Sequence, residues 1–255
     1  MTRTVDLNAD MGESFGPWVM GNDADLLEII TSANIACGFH AGDPDVMAQT
    51  MALAVKMGVG IGAHPGFPDL RGFGRYRIQM PLDQLANAVR YQLGAAQGMA
   101  KVAGGQVRHL KLHGALGNMT SEDKEMAKVC FDAALDIDPD LFVMVLAGTA
   151  QQQAVEELGC NFATEIFADR AYNDDATLVD RRLKGAVIHD AEIAAQRMVN
   201  MVQEGAIITE SGKRIEARID TICMHGDTPE AVEIARGVRS ALERAGIEAR
   251  AFPHE

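Results

Sequence analysis

Aromatic residues and long apolar runs are scarce in this sequence. Its 255 residues include one Trp and three Tyr, so aromatic stacking is not expected to be the main means of binding a ligand. No apolar run approaches the length that crosses a bilayer, and the first residues lack the run of a signal peptide. The sequence therefore predicts a cytoplasmic protein that has no membrane partner.

Paired cysteines and clusters of basic residues are also missing. The four cysteines lie far apart, and without a Cys-x-x-Cys pair they predict neither a structural zinc site nor a redox motif. They fit a reduced cytoplasmic setting. The formal net charge is −13 and the basic residues are scattered. Such a chain repels a phosphate backbone, so nucleic acid is not expected as a partner.

No linker divides the chain. It has no tract rich in proline and serine, no block of charge and no low-complexity segment. A hydrophobic content of 47% over this length supplies one large core. Residues 1–255 are therefore predicted to form a single domain, with two smaller domains as the alternative.

Strand-like apolar runs alternate with helix-like runs about seven times along the chain. This alternation predicts a parallel sheet with crossover helices. An open, doubly wound sheet is the alternative, but no Gly-x-Gly-x-x-Gly follows the first strand. A closed β/α barrel is preferred. Strands are predicted over 4–8, 32–36, 59–63, 107–112, 141–146, 160–164 and 220–224, and helices over 23–30, 44–57, 82–103, 120–135, 151–158, 191–204 and from 228–229 to Gly246.

Polar side chains follow most of these strands. In β/α barrels the active site lies at the C-terminal ends of the strands, so we expect these side chains to surround one site. In strand order they are Asp10 and Glu13; His40 and Asp43; His64, Asp69, Arg71 and Arg75; Lys111 and His113; Glu165, Asp169 and Arg170; and His225 and Asp227.

Histidine dominates this set. Four imidazoles around one ring support acid–base chemistry or bind a metal, whereas a single loop histidine is as often bonded only to the backbone. The four are His40, His64, His113 and His225, and no function is expected of His109, His189 or His254. Cys37 lies three positions from His40, which is no evidence of contact. For Cys37 and Cys223 we favour a buried structural role over that of a nucleophile.

Lys111 begins inside the predicted barrel. A buried lysine needs an anionic partner or a lowered pKa, and Glu165, Asp169 or a substrate carboxylate are the candidate partners. Arg75 and Arg170 are suited to hold a carboxylate or phosphate by a two-pronged hydrogen bond. Asp43 followed by Pro44 is a good helix start, which is compatible with a second role in the site.

Two long motifs resemble a known family. Asn34-Ile-Ala-Cys-Gly-Phe-His-Ala-Gly-Asp43 and Gly62-Ala-His-Pro-Gly-Phe-Pro-Asp-Leu70 are specific, and with segments 8–13, 111–118, 165–172 and 223–227 they resemble the LamB/YcsF family from Asp6 to the last helix. The resemblance implies a seven-stranded parallel β/α barrel of the glycoside hydrolase/deacetylase type. It also implies ATP-dependent opening of the lactam 5-oxoproline to glutamate, together with partner subunits B and C.

The resemblance also suggests roles for the site residues. ATP would be a co-substrate, but the chain has no Gly-x-x-x-x-Gly-Lys-Ser/Thr loop, so other parts or the partner subunits would handle it. Lys111, Arg75 and Arg170 would bind a carboxylate or phosphate, while His40, His113 or Asp10 would activate water. The expected catalytic set is Asp10, His40, Asp43, Lys111 and His113, and the substrate-binding set is Asn8, Glu13, His64, Arg75, Glu165, Asp169, Arg170 and His225.

The chain departs from the usual family pattern at four positions. The family usually has Cys, Arg, Pro and Tyr where this chain has Ala9, Tyr76, Leu112 and Gly117. These changes alter the shape and charge of the pocket and leave the exact substrate open.

Two other functions fit the same residues. One is a metal-dependent hydrolase or deacetylase of another small amide or carbohydrate, with a divalent ion on Asp10, His40 and His64. The other is a non-catalytic subunit that only binds a ligand or organises its partners.

Overall fold

A computed structural model describes residues 3–225 and 230–252. Seven parallel strands close into a barrel, because the last of them pairs with both the sixth and the first. The closed ring confirms the predicted barrel and excludes the open sheet. Its strands are β1 (Arg3–Met11), β2 (Ser32–Ala36), β3 (Gly60–His64), β4 (Val107–Lys111), β5 (Phe142–Leu146), β6 (Phe162–Phe167) and β9 (Thr221–Met224).

Helices cover the outside of the barrel, as crossover connections require. Their buried faces and the outward faces of the strands form one hydrophobic core. The helices are α1 (Asp23–Leu27), α2 (Pro44–Met57), α3 (Leu82–Val102), α4 (Gly114–Glu122), α5 (Lys124–Leu135), α6 (Ala150–Leu158), α7 (Ala191–Glu204) and α8 (Ala231–Arg244). No helix in the described ranges is both long and apolar enough to span a bilayer.

Strand β1 joins both ends of the chain. Its residues 8–11 pair with β2 and its residues 6–9 with β9. Its first residues, 3–5, pair with β10 (Ile247–Ala249), which lies outside the closed ring. A separate antiparallel hairpin is formed by β7 (Ala206–Ile208) and β8 (Arg214–Glu216).

Helix α2 forms as its sequence predicts. Asp43 is its N-cap: one carboxylate oxygen accepts the backbone N–H groups of Asp45 and Val46, both at 2.9 Å. Pro44 takes the first helical position, where its missing N–H costs nothing. Gly58 ends the helix with a left-handed φ of 72°, a conformation that glycine adopts without a steric penalty.

The largest error in the predicted elements lies after β4. No helix was predicted between residues 112 and 120, but Gly114–Glu122 forms α4. The helix predicted over 120–135 therefore begins later, at Lys124, where Asp123 caps α5 by accepting the Met126 N–H at 3.1 Å. The hydroxyl of Thr120 donates to the Leu116 carbonyl inside α4.

Smaller corrections concern boundaries and helix faces. Helix α1 ends at Leu27 rather than at residue 30, and β6 begins at Phe162, which places Glu165 within the strand. Leu82 and Met57, at the ends of two predicted helices, are 45% and 38% exposed, since each lies beyond the buried stripe. Asp227, His254 and the predicted helix start at residues 228–229 lie outside the described residues.

Candidate active site

A cavity of about 690 Å³ opens at the C-terminal ends of the barrel strands. Most of the predicted site residues line it, as the rule for β/α barrels requires. They are Asp10, Glu13, His64, Arg75, Lys111, His113, Glu165, Arg170 and His225.

Lys111 lies at the bottom of this cavity and is 4% exposed. Its ammonium nitrogen is 3.0 Å from Asp10 Oδ1, 2.9 Å from Glu165 Oε1 and 2.9 Å from Cys223 Sγ. Of the candidate anionic partners, Glu165 pairs with Lys111, and Asp10 does so as well. Asp169 binds His225 instead. Asn8 Oδ1 is 3.3 Å from the same ammonium. We call Lys111, Asp10, Glu165, Cys223 and Asn8 the lysine cluster.

Charge pairing fixes the ionisation of the lysine cluster. Burial alone would lower the pKa of Lys111, but Asp10 and Glu165 outweigh it and hold that pKa well above its usual value. Burial likewise would raise the pKa of Asp10, yet His64 and Lys111 hold it well below its usual value. Burial raises the pKa of Cys223 well above its usual value. Lys111 is thus a cation and Asp10 an anion at neutral pH, beside a neutral thiol.

Asn34 supports the lysine cluster, although no sequence motif pointed to it as a site residue. Its amide donates to Asn8 Oδ1 at 2.7 Å and to Asp10 Oδ1 at 3.0 Å, and it accepts from His109 Nε2 at 2.8 Å. Asp10 and Asn34 are register partners of the parallel pair β1–β2. Because alternate residues of a strand share a face, inward polar residues on neighbouring strands were the signal that could have found Asn34.

Three imidazoles and a carboxylate form a second group, which we call the imidazole cluster. Its members are Glu13, His40, His64 and His113, all buried. His64 Nδ1 lies 2.8 Å from the Lys111 carbonyl and His113 Nε2 lies 2.9 Å from the Phe73 carbonyl. A carbonyl only accepts, so both of these ring nitrogens carry a proton. The other nitrogens, His64 Nε2 and His113 Nδ1, face each other at 3.0 Å.

His40 is the exceptional member of the imidazole cluster. It is fully buried, stacks on His113 with centroids 3.6 Å apart, and neither ring nitrogen has a hydrogen-bond partner in the described part of the chain. Gly66 leaves room for this ring, because a Cβ at that position would lie only 2.7 Å from His40 Nδ1. Burial lowers the pKa of His40 and of His113 well below the usual value, which keeps both rings neutral.

His225 and Asp169 form a third arrangement at the cavity. Nδ1 of His225 lies 2.8 and 2.9 Å from the two oxygens of Asp169. Burial would raise the pKa of Asp169, but His225 outweighs it and the pKa is lowered, so the carboxylate accepts the Nδ1 proton. This leaves His225 Nε2 as a proton acceptor, in the way that a carboxylate orients a catalytic histidine.

Some predicted residues lie apart from these groups. The Asp43 carboxylate caps α2 with one oxygen and accepts the Gly16 N–H at 2.7 Å with the other. Arg170 lines the cavity, but its guanidinium donates to the carbonyls of Val179 and Ala186. Arg75 is exposed and lies over the Phe73 ring at 4.9 Å. Burial raises the pKa of Cys37 to about 12, which supports its structural role.

Two of the four positions that depart from the family pattern lie within α4 or just before it. They are Gly117 and Leu112, and both line the cavity. A Cβ on Gly117 would lie 2.7 Å from the Leu112 carbonyl oxygen, closer than real atoms approach, so a tyrosine there requires the backbone to shift. Tyr76, which also lines the cavity, is 63% exposed, and Ala9 is buried in the core.

The side chains that lie close enough to bind one metal ion together differ from the predicted set of Asp10, His40 and His64. Within the described residues, the four members of the imidazole cluster each offer an atom within 4.8 Å of the others. Asp10 is 3.3 Å from His64 Nε2, but it forms a group with Cys223 and His225 instead.

Comparisons with known proteins agree with this fold and show the family. The model of the LamB/YcsF family matches residues 5–255. A protein of Ruegeria pomeroyi, named as the A subunit of 5-oxoprolinase, is 69% identical over 252 residues, which are 99% of each chain. The crystal structure of a lactam utilization protein from Thermus thermophilus is 42% identical with a TM-score of 0.91, covering 98% of this chain and 100% of that one. A putative cellobiose-phosphate cleavage protein from Enterococcus faecalis shares the fold at 15% identity, with a TM-score of 0.61 and coverage of 99% and 98%.

Proposed function

Because this chain belongs to the LamB/YcsF family, we propose that it is the A subunit of a 5-oxoprolinase, which opens the lactam of 5-oxoproline to glutamate. The observation that carries the proposal is its full-length identity to the Ruegeria protein of that name. The same cavity, with a buried cation, two carboxylates and an oriented histidine, contains the groups that hydrolysis of an amide requires.

ATP and two partner subunits, B and C, complete the proposed reaction. A five-membered lactam is a stable amide, and a phosphoryl group transferred from ATP to its oxygen turns that oxygen into a leaving group. Water then adds to the activated carbon and the C–N bond breaks, which leaves the acyl phosphate of glutamate. A second water cleaves this acyl phosphate, so that the products are glutamate, ADP and phosphate. This chain has no phosphate-binding Gly-x-x-x-x-Gly-Lys-Ser/Thr loop, so we assign the handling of ATP to the partners.

Arg75 and Lys111 supply the positive charge in this proposal. Arg75 is exposed on the cavity wall, and its planar guanidinium suits the free carboxylate of 5-oxoproline. Lys111 is already paired with two carboxylates and stays charged. It is therefore suited to stabilise negative charge on the reacting carbonyl oxygen without moving.

His225 is the proposed general base. Asp169 accepts the Nδ1 proton, and His225 lines the cavity, where we assign to its Nε2 the proton of the attacking water. Asp10 is less suited to this role because its pKa is held well below the usual value, and a base works best when its pKa is near the operating pH.

Glutamate release tests both the substrate and the base. The purified chain, assembled with its B and C partners, is mixed with ATP and 5-oxoproline. We expect glutamate and ADP in equal amounts, and a loss of about 10² to 10⁴ in kcat for His225→Gln. The matched control is His189→Gln, whose side chain is 64% exposed and which should retain full turnover.

The outcomes separate the alternatives. No glutamate from the wild-type assembly overturns the substrate assignment. Glutamate release that survives His225→Gln at the wild-type rate overturns the assignment of the base. Unchanged turnover in Lys111→Met as well would indicate that the chain only binds ligand or organises its partners.

A further inference from the structure

The imidazole cluster brings four possible ligand atoms close together at the cavity. They are one oxygen of Glu13 and one nitrogen each of His40, His64 and His113, all within 4.8 Å of one another. Glu13 Oε1 lies 3.5 Å from His40 Nε2 and 3.6 Å from His113 Nδ1, and His64 Nε2 lies 3.0 Å from His113 Nδ1. In a tetrahedral site with bonds of about 2.0–2.1 Å, neighbouring ligand atoms are about 3.3 Å apart. The observed separations bracket that value.

Backbone carbonyls select the tautomers that a metal needs. The carbonyls of Lys111 and Phe73 each fix a proton on the far nitrogen of His64 and of His113. A metal-ligating histidine almost always donates its second N–H in this way. The two remaining nitrogens, His64 Nε2 and His113 Nδ1, face each other across 3.0 Å. Two bare lone pairs at that distance would repel, so either a proton or a metal ion lies between them.

His40 supplies an independent observation. It is 0% exposed and both its nitrogens lack a hydrogen-bond partner within the described residues. Leaving a buried polar group unpaired costs free energy, so such a side chain indicates a ligand that the protein binds. His40 Nε2 is aimed toward Glu13 rather than toward backbone.

We propose that Glu13, His40, His64 and His113 bind one divalent transition-metal ion, with zinc preferred over magnesium or calcium. Three imidazoles and one carboxylate are the donor set of zinc, whereas magnesium and calcium are held by oxygen ligands. The site does not depend on which amide the protein opens. It replaces Asp10 of the predicted metal set by Glu13 and adds His113.

The other group of possible ligands, Asp10, Cys223 and His225, is already filled. The Lys111 ammonium lies 3.0 Å from Asp10 Oδ1 and 2.9 Å from Cys223 Sγ. A cation therefore already occupies that position, and a second one would be repelled. Asp10 Oδ2 faces the other way, 3.3 Å from His64 Nε2, and adds negative charge beside the proposed ion.

Binding requires one movement. The rings of His40 and His113 are parallel within 6°, so their lone pairs do not converge until one ring tilts. Phe73 and Lys111 hold the other two imidazoles by hydrogen bonds. His40, which has no such bond within the described residues, is the ring that moves, and metal uptake should break its stacking on His113.

Metal content tests the proposal without reference to activity. The full chain is stripped with a chelator, dialysed, titrated with zinc by calorimetry and analysed by mass spectrometry for bound metal. We expect about one zinc per chain and, for cobalt substitution, the visible spectrum of a four-coordinate ion. His40→Ala and His113→Ala should each weaken zinc binding by at least about tenfold, the effect expected even of a supporting residue. His189→Ala, on the surface, should bind as the wild type does.

Two results would overturn the proposal. One is a stripped wild-type protein that takes up no zinc or cobalt, which would mean that a proton alone lies between His64 and His113. The other is His40→Ala that is folded by circular dichroism and binds zinc as tightly as the wild type. If His40→Ala fails to fold, Glu13→Gln, which keeps the shape of the side chain, decides by the same titration.

Discussion

Two groups of buried polar side chains lie at opposite ends of the same barrel. At the N-terminal ends of the strands, Asp6 is fully buried, yet its oxygens accept from Thr31 at 2.6 Å, Ser32 at 2.7 Å and Thr221 at 2.5 Å. We call these four residues the Asp6 cluster. At the C-terminal ends, His40 is equally buried but makes no hydrogen bond in the described chain.

The difference shows what separates a structural polar group from a functional one. Asp6 and His40 are equally buried, so burial alone does not distinguish them. The Asp6 cluster satisfies its own acceptors and has nothing left to offer a ligand. The two ring nitrogens of His40 in the imidazole cluster make no hydrogen bond within the described residues, which leaves them available for binding. Predictions that disturb one end but not the other can test this contrast.

The largest effect is expected from the lysine cluster. Lys111→Met leaves Asp10 and Glu165 buried without their cation, so the free energy of unfolding should fall by about 3–5 kcal/mol. Turnover should fall at least about a hundredfold. Urea unfolding and glutamate release measure the two effects, with Lys101→Met on the surface of α3 as the control. Lys111→Met combined with Glu165→Gln should recover stability but not turnover. Recovery of both would contradict the assigned charge role.

Asp6→Asn should change stability with pH and leave turnover alone. Burial raises the pKa of Asp6 from 3.8 to about 6, so the folded chain binds a proton more tightly than the unfolded chain does. Its contribution is therefore fully present below about pH 4 and is lost as pH rises through about 6, by up to about 3 kcal/mol. Urea unfolding of wild type and variant at several pH values measures the difference, which should grow in favour of Asp6→Asn between pH 4 and 6. A difference that does not change with pH would contradict the assignment.

Asp43→Ala tests a residue that the sequence suggested for catalysis. Its carboxylate accepts three backbone N–H groups, from Asp45, Val46 and Gly16. We expect a lower urea midpoint from the lost cap and unchanged kcat. Asp43→Ser keeps a capping oxygen and should restore much of the midpoint. If kcat falls in both variants while the midpoint is restored in the second, Asp43 acts in the site after all.

The smallest effect is expected from an exposed ion pair at the rim of the cavity. Arg77 and Glu122 form a two-pronged ion pair whose side chains are about half exposed. Arg77→Ala should cost less than about 1 kcal/mol, and less still in high salt. Urea unfolding at low and high salt measures this. A larger loss that persists in salt would show that Arg77 supports the cavity it lines rather than the surface.

Sequence patterns predicted the part of this molecule that depends on strand order. Asp10, His64 and Lys111 could be placed at one site because parallel strands of a closed barrel end on the same side. The cap at Asp43 and the glycine after α2 were predictable because they depend on local backbone chemistry.

What could not be predicted depends on register and on long-range pairing. Asp169 was a candidate partner for Lys111, but it binds His225 across 56 residues, and no local signal distinguishes it from Glu165. Arg170 was expected to hold a substrate, yet its donors reach carbonyls 9 and 16 residues away. Helix α4 was missed because its glycines are typical of loops, while the packing that favours the helix comes from elsewhere in the fold. That residues 1–255 form a single domain, and the roles of individual site residues, stay predictions.

The double pairing of β1 also determines when the chain can fold. Lys111 on β4 finds its charge partners on β1 and β6 and its thiol neighbour on β9, and β1 pairs with β9 and β10 at the far end of the chain. On the ribosome, the first strand emerges long before these partners exist. Until residue 224 and those beyond it are synthesised, β1 and β6 present open strand edges around unpaired buried charges. The barrel of such a chain can close only after β9 has been synthesised.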